Sequence, residues 1–175
     1  MQIGIPAEII AGETRVAATP DTVKKYITAG YRVVVQAGAG VNASVPDASF
    51  SAVGASIVHD AAAAYASDII LKVQAPTAEE IALIKDGATV VAMFDPYRNP
   101  NLASFAAKNL HCFALELLPR TLSRAQNMDV LSSQSNLAGY KSVLLAANEY
   151  QRPFPMFMTR QAQWNLRVLS SWVWE

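Results

Sequence analysis

Two stretches of this 175-residue chain carry side chains whose types and spacing suit chemistry. The first holds Glu8, Glu13 and Arg15 between Gly4-Ile5-Pro6 and Thr19-Pro20. A strand ending near Ile5 and a helix opening near Thr19 would place these charges on a loop at the carboxyl end of a parallel strand, where α/β proteins bind ligands. The competing reading is a local ion pair that steadies the loop. The second runs Pro119-Arg120-Thr121-Leu122-Ser123-Arg124-Ala125-Gln126-Asn127-Met128-Asp129 and continues through Ser132, Ser133, Gln134, Ser135 and Asn136. Guanidinium, amide, carboxylate and hydroxyl groups in one connection suit a polar organic ligand. Connections this long in compact domains are functional or disordered, and a solvated loop is the alternative.

Other signals are weaker. Gly38-Ala39-Gly40, with Ala43 three residues on, has the spacing of a dinucleotide loop. Asn42, Ser44 and Pro46 follow, however, and no clean helix opens where a pyrophosphate needs one, so a structural turn is the better reading. His59 and His111 have no companions at metal-ligand spacing and read as surface or strand residues; no metal site is expected. Nucleophile elbow, Walker loop and cysteine cluster are all lacking, and Cys112 stands alone, which excludes a disulfide framework.

These residues need a frame, and the apolar pattern supplies one. Strand-length apolar runs recur at 3–5, 31–35, 55–58, 68–73, 89–94 and 112–117, near-continuous as in strands covered on both faces. Helix signals lie between them. Thr19-Pro20 opens a segment that Gly30 stops, Thr77 caps Ala78-Glu79-Glu80, and Asn99-Pro100 introduces Leu102, Phe105 and Ala106. From Ser132 to Gln151 a longer helix is predicted, with Leu137, Tyr140, Val143, Leu144 and Ala147 on one side and Pro153 ending it. The alternation predicts an open, mainly parallel, doubly wound α/β sheet with helices on both faces, flavodoxin-like or Rossmann-like. The balance of 14 basic and 14 acidic residues argues against nucleic acid. No apolar stretch is long enough to span a bilayer, so no direct membrane insertion is expected. Charged residues make up only 16%, which predicts apolar surface committed to a contact.

Gly4-Ile5-Pro6, Glu8, Glu13, Arg15-Val16-Ala17, Thr19-Pro20 and Val23 together resemble the N-terminal signature of the alanine dehydrogenase and pyridine-nucleotide transhydrogenase family. The similarity extends over residues 1–159, through Ile69-Ile70-Leu71-Lys72-Val73 and Ser132-Ser133-Gln134-Ser135-Asn136-Leu137-Ala138-Gly139-Tyr140. Alanine dehydrogenases carry a catalytic His shortly after the strand represented by Val90–Phe94; this chain has Asp95-Pro96-Tyr97-Arg98. Transhydrogenase α subunits carry a loop with Arg120, Gln126 and Asp129 at this spacing. The resemblance thus implies domain I of a proton-translocating NAD(P) transhydrogenase, in which NADH on domain I passes hydride to NADP+ on domain III. It further implies that Gln126 bridges the nicotinamide region, that Arg120 and Asp129 orient the carboxamide, and that Ser132 contacts the ribose side. Arg15 and Lys72 match residues that grip the keto acid in the dehydrogenases; transhydrogenation has no such substrate, so structural roles are expected. Partners implied are domain III, the membrane domain and a second copy, with the assembly cytoplasmic and peripheral to the membrane. The alternatives are an alanine-dehydrogenase-like catalytic domain and a non-enzymatic assembly module.

The carboxyl end departs from the family. Residues 160–175 hold all three Trp and fit no face of the preceding pattern. One permitted codon choice for them, read with a single base restored near Thr159, spells AAGTVEPARALILGVG: a linker, a buried strand and the start of a G-x-G-x-x-G fingerprint. The expected organisation is an α/β domain at 1–131, an interdomain helix and linker at 132–159, and an out-of-frame remnant of the NAD-binding half at 160–175. No tightly bound cofactor and no activity of the chain alone are expected.

Overall fold

A computed structural model describes residues 1–152. The readings for the end of the linker and for 160–175 fall outside the described residues. The strands are β1 (Gln2–Ile5), β2 (Arg32–Gln36), β3 (Ser56–Val58), β4 (Ile69–Gln74), β5 (Thr89–Met93) and β6 (His111–Ala114). Between them lie α1 (Pro20–Thr28), α2 (Asp47–Ala52), α3 (Ala61–Tyr65), α4 (Ala78–Leu83) and α5 (Leu102–Ala107), with α6 (Ser123–Gln126) and α7 (Val130–Glu149) after β6. All pairings are parallel, and the order β3-β2-β1-β4-β5-β6 is that of a Rossmann sheet, so the predicted fold class holds.

Local chemistry explains the element starts. Thr19 Oγ1 accepts the Thr22 N–H at 3.3 Å and Pro20 occupies the first turn of α1, where its missing N–H costs nothing. At α4, the Thr77 N–H donates to Glu80 Oε2 at 2.8 Å while Thr77 Oγ1 accepts from the Glu80 N–H, a reciprocal capping box. Gly38 adopts φ +79° and donates its N–H to the Asp47 carboxylate, so Gly38-Ala39-Gly40 forms a structural turn.

The winding direction reverses between β1 and β4. Right-handed crossovers therefore put α1 and α2 on one face of the sheet and α3, α4 and α5 on the other. Two cores result. Ile3, Ile5, Val33 and Val35 pack with Val23 of α1 and Phe50 of α2. Ile70, Val90 and Ala92 pack with Tyr65, Ile81 and Phe105 of α3, α4 and α5. At Gly4 the crossover helix comes so close that a Cβ would lie 2.1 Å from the Ala64 carbonyl oxygen. On β4–β6 the first face receives no helix from any of the five crossovers, and Phe113 there is 59% exposed.

Two details differ from expectation. The strand predicted over 112–117 ends at Ala114, and Leu115–Leu117 forms a 3₁₀ turn. The apolar run continues across that boundary, so periodicity alone had no mark for the end. The helix predicted over 132–151 is present as Val130–Glu149, so residues 132–136 belong to it and not to the polar connection before it. Its apolar residues also spread around the helix, with Leu145 and Ala138 off the side predicted, and none of its residues is buried. The chain divides into two compact units, Met1–Val130 and a second beginning at Leu131. Among the described residues no helix is long and apolar enough to cross a membrane.

Candidate functional site

The crevice at the winding reversal, between the ends of β1 and β4, is where an open α/β sheet ordinarily takes its ligand. Here the chain fills it with its own carboxylates. Glu8, on the loop leaving β1, is 3% exposed; its Oε1 accepts the Val73 N–H at 2.6 Å and its Oε2 lies 3.4 Å from Lys72 Nζ. Burial, the largest influence, pushes the Glu8 carboxyl above its usual range. Glu13 accepts from Arg15 Nε at 2.7 Å, Arg15 Nη2 at 2.6 Å, the Arg15 backbone N–H at 3.0 Å and Gln74 Nε2 at 2.8 Å. The Arg15 hydrogen bonds hold that carboxyl down at about 2. The ion-pair reading of this loop is what the geometry displays.

Lys72 links this crevice to the helices α3 and α4. Its side chain is fully buried, with Nζ 2.5 Å from Glu80 Oε1 and 3.3 Å from the Tyr65 hydroxyl. Tyr65 donates to the same Glu80 oxygen at 2.5 Å. Burial first, then the bond to Glu80, drives the Tyr65 hydroxyl far above its usual range. Lys72 thus knits β4, α3 and α4 together and also reaches Glu8 on the loop after β1. A register shift in β4 between Leu71 and Gln74 separates Lys72 from Gln74, which turns to Glu13 instead. Gln74, Tyr65 and Glu80 were not singled out by sequence. Only Thr77-x-x-Glu80 carried a signal, and it announced a helix cap without the second duty.

The polar segment after β6 is built differently. Glu116, in the 3₁₀ turn, accepts with one oxygen from the N–H groups of both Phe94 and Asp95, at 2.6 and 2.5 Å. Arg120 follows in an exposed turn, Gln126 is the last residue of α6 and exposed, and Asp129 is half-buried immediately before α7. Ala125, 4% exposed, pins α6 from below. Leu117, Leu118 and Met128 of the segment and Thr89, Val91 and Phe113 of the sheet enclose a hollow of about 510 Å3 on the helix-free half-face. The buried apolar contact of the segment is thus Ala125, whereas Leu117, Leu122 and Met128 stay more than half exposed. Arg120, Gln126 and Asp129 share one unit and one segment; Ser132 lies on α7 in the second unit. His59 and His111 are exposed. Among the described residues no three His, Cys, Asp or Glu side chains gather as a metal site would need.

Comparison with known proteins gives the lineage. The family profile "Alanine dehydrogenase/PNT, N-terminal domain" matches residues 4–138. The chain is 47% identical over 166 residues to an alpha-subunit polypeptide of the NAD(P) transhydrogenase of Rhodospirillum rubrum, covering 91% of this chain and 43% of that protein. It is 44% identical over 151 residues to NAD(P) transhydrogenase subunit alpha of Haemophilus influenzae, covering 86% and 29%. Among solved structures, the transhydrogenase of Sinorhizobium meliloti superimposes with a TM-score of 0.85 at 46% identity, over 91% of this chain and 48% of that one. Alanine dehydrogenase of Bacillus subtilis is more distant, 29% identical over 154 residues. The chain spans less than half the length of each of these relatives. Its signature loop, sheet order and matched residues together make the chain a member of the alanine dehydrogenase/PNT family, aligned with that family's N-terminal domain.

Proposed function

We propose that this chain is the N-terminal portion of domain I of a proton-translocating NAD(P) transhydrogenase, and that residues 119–129 form its nicotinamide-orienting loop. The observation that supports the reading is that Arg120 and Gln126 are both exposed on the segment that follows β6, while the switch-point crevice is already filled by Glu8 and Glu13. The residues suit the group they would hold. A Gln amide both donates and accepts, as a nicotinamide carboxamide does, and Arg120 supplies outward donors. Asp129 orients neighbouring groups and Ser132 meets the ribose side. The hydride chemistry is the dinucleotide's own; the chain's task is to hold one ring against its reaction partner, where orientation supplies much of the rate. NADP(H) sits on a partner domain III, and this chain lies on the cytoplasmic side, peripheral to the membrane, when assembled in the full enzyme.

The loop after β1 reads Ile5-Pro6-Ala7 and offers no glycine-rich cradle for phosphates. Affinity for the dinucleotide as a whole is therefore expected from a different half of the enzyme, and this chain alone is inactive in the proposal. Titrating the isotope-labelled chain with NADH and following backbone and side-chain amide resonances tests this. Shifts centred on Arg120, Gln126, Asp129 and Ser132 with a Kd above about 1 mM are expected. A sub-millimolar Kd, or shifts centred on the Gly38–Gly40 turn, would overturn it.

A further inference from the structure

Glu116 has no place in the proposed contact with nicotinamide, yet its carboxylate has an unusual setting. Oε1 takes two consecutive backbone N–H groups, those of Phe94 and Asp95, at the point where the chain leaves β5. Asp95 adopts φ +45°, a left-handed backbone turn immediately after the two donors. Phe94 is itself fixed: it is 3% exposed, meets Phe105 edge to face with ring centroids 5.4 Å apart, and its carbonyl accepts from Asn99 Nδ2 at 2.8 Å. The other oxygen, Oε2, is buried without a hydrogen-bond partner. A buried acceptor left unpaired is costly, so the position is held by what Oε1 does. Glu116 also stands four residues before Arg120 and two after Ala114, the last β6 residue, which pairs with Ala92 of β5.

We propose that Glu116 is the positioning residue of the 119–129 segment, anchoring it through one carboxylate oxygen to the end of β5. The inference rests on the proposed function only in making that segment the ligand-facing one. The anchor is a peptide pair just past the end of β5, held by the buried Phe94, so the start of the segment is tied to the sheet's end. The buried Ala125, 4% exposed, then carries that anchoring to the adjacent Gln126.

Amide hydrogen exchange on the whole 175-residue chain tests it, comparing wild type with Glu116→Leu, Glu116→Asp and Glu116→Gln. Leu removes the acceptor, Asp withdraws it by one methylene, and Gln keeps one oxygen in place. In the Leu variant, exchange at Phe94, Asp95 and residues 118–129 is expected to rise at least ~10-fold while Ile70 and Val90 stay unchanged, since local opening and global unfolding are separable. Asp should show the same pattern at smaller amplitude, and Gln should stay within about threefold of wild type. Should Leu fail to fold, the Asp and Gln pair decides. Uniform acceleration through the sheet, or a segment as protected in Asp as in wild type, overturns the proposal. The NADH titration is read separately: local loosening together with no NADH-induced shift at Gln126 supports the anchor and rejects the nicotinamide reading.

Discussion

Replacing Glu13 by Gln isolates the charge that closes the switch-point crevice. The carboxyl is held at about 2 instead of 4.5, chiefly by Arg15. At 1.36 kcal/mol per pH unit, that preference for the charged form is worth roughly 3 kcal/mol. Glu13 is 6% exposed but Arg15 is 38% exposed, and water screens the pair from that side. The realised share is about 1–2 kcal/mol. The sign follows from the depressed folded value: the stabilisation is complete above the unfolded value of 4.5 and disappears as pH falls toward about 2. Urea unfolding followed by far-ultraviolet circular dichroism, run on both proteins from pH ~7 down to ~2, measures the difference. Taking variant minus wild type cancels the opposite contribution of Glu8, whose raised carboxyl is present in both. Glu13→Gln should be less stable by about 1–2 kcal/mol at neutral pH, with the gap closing below 4.5. A gap that is absent at neutral pH, or keeps its full size at low pH, refutes the reasoning.

The buried Lys72–Glu80 pair predicts a non-additive pattern: Lys72→Met alone should cost about 3–5 kcal/mol by stranding carboxylate, and adding Glu80→Gln, which removes the charge but keeps acceptors for the cap and Tyr65, should recover part of that in chemical denaturation. Single and double losses that simply add would contradict the pairing. Gly4→Ala should abolish cooperative thermal unfolding or shift it sharply downward, because its Cβ would sit 2.1 Å from the backbone oxygen of Ala64 and neither backbone can yield. A variant with a normal transition would show that α3 approaches β1 less closely.

Much of the frame was legible because it is written in local terms. Apolar runs of strand length, Thr19-Pro20, Gly30 and Thr77-x-x-Glu80 each carry their cause in adjacent residues. The residues that join distant segments do not. Lys72 was expected to be structural only because the resemblance left it no substrate, and only the meeting of β4 with α3 and α4 shows which groups it ties. Gln74 escaped notice because a bulge, invisible in the pattern, re-aims it toward Glu13. Glu116 sat inside a run read as strand, while its two donors are 21 and 22 residues earlier. Arg120, Gln126 and Asp129 came from resemblance to a family loop, whose spacing no helical or strand period could generate.

The helix-free half of the sheet has a thermal consequence. The chain after β6 borders that half through Leu117, Leu118 and Met128, with Glu116 as its polar tether. Attraction of this greasy kind weakens as water cools, whereas the tether does not. Chilling the protein should therefore free the middle of that stretch before its hinge at Glu116, leaving a flap that is fastened at one end and restless at the other.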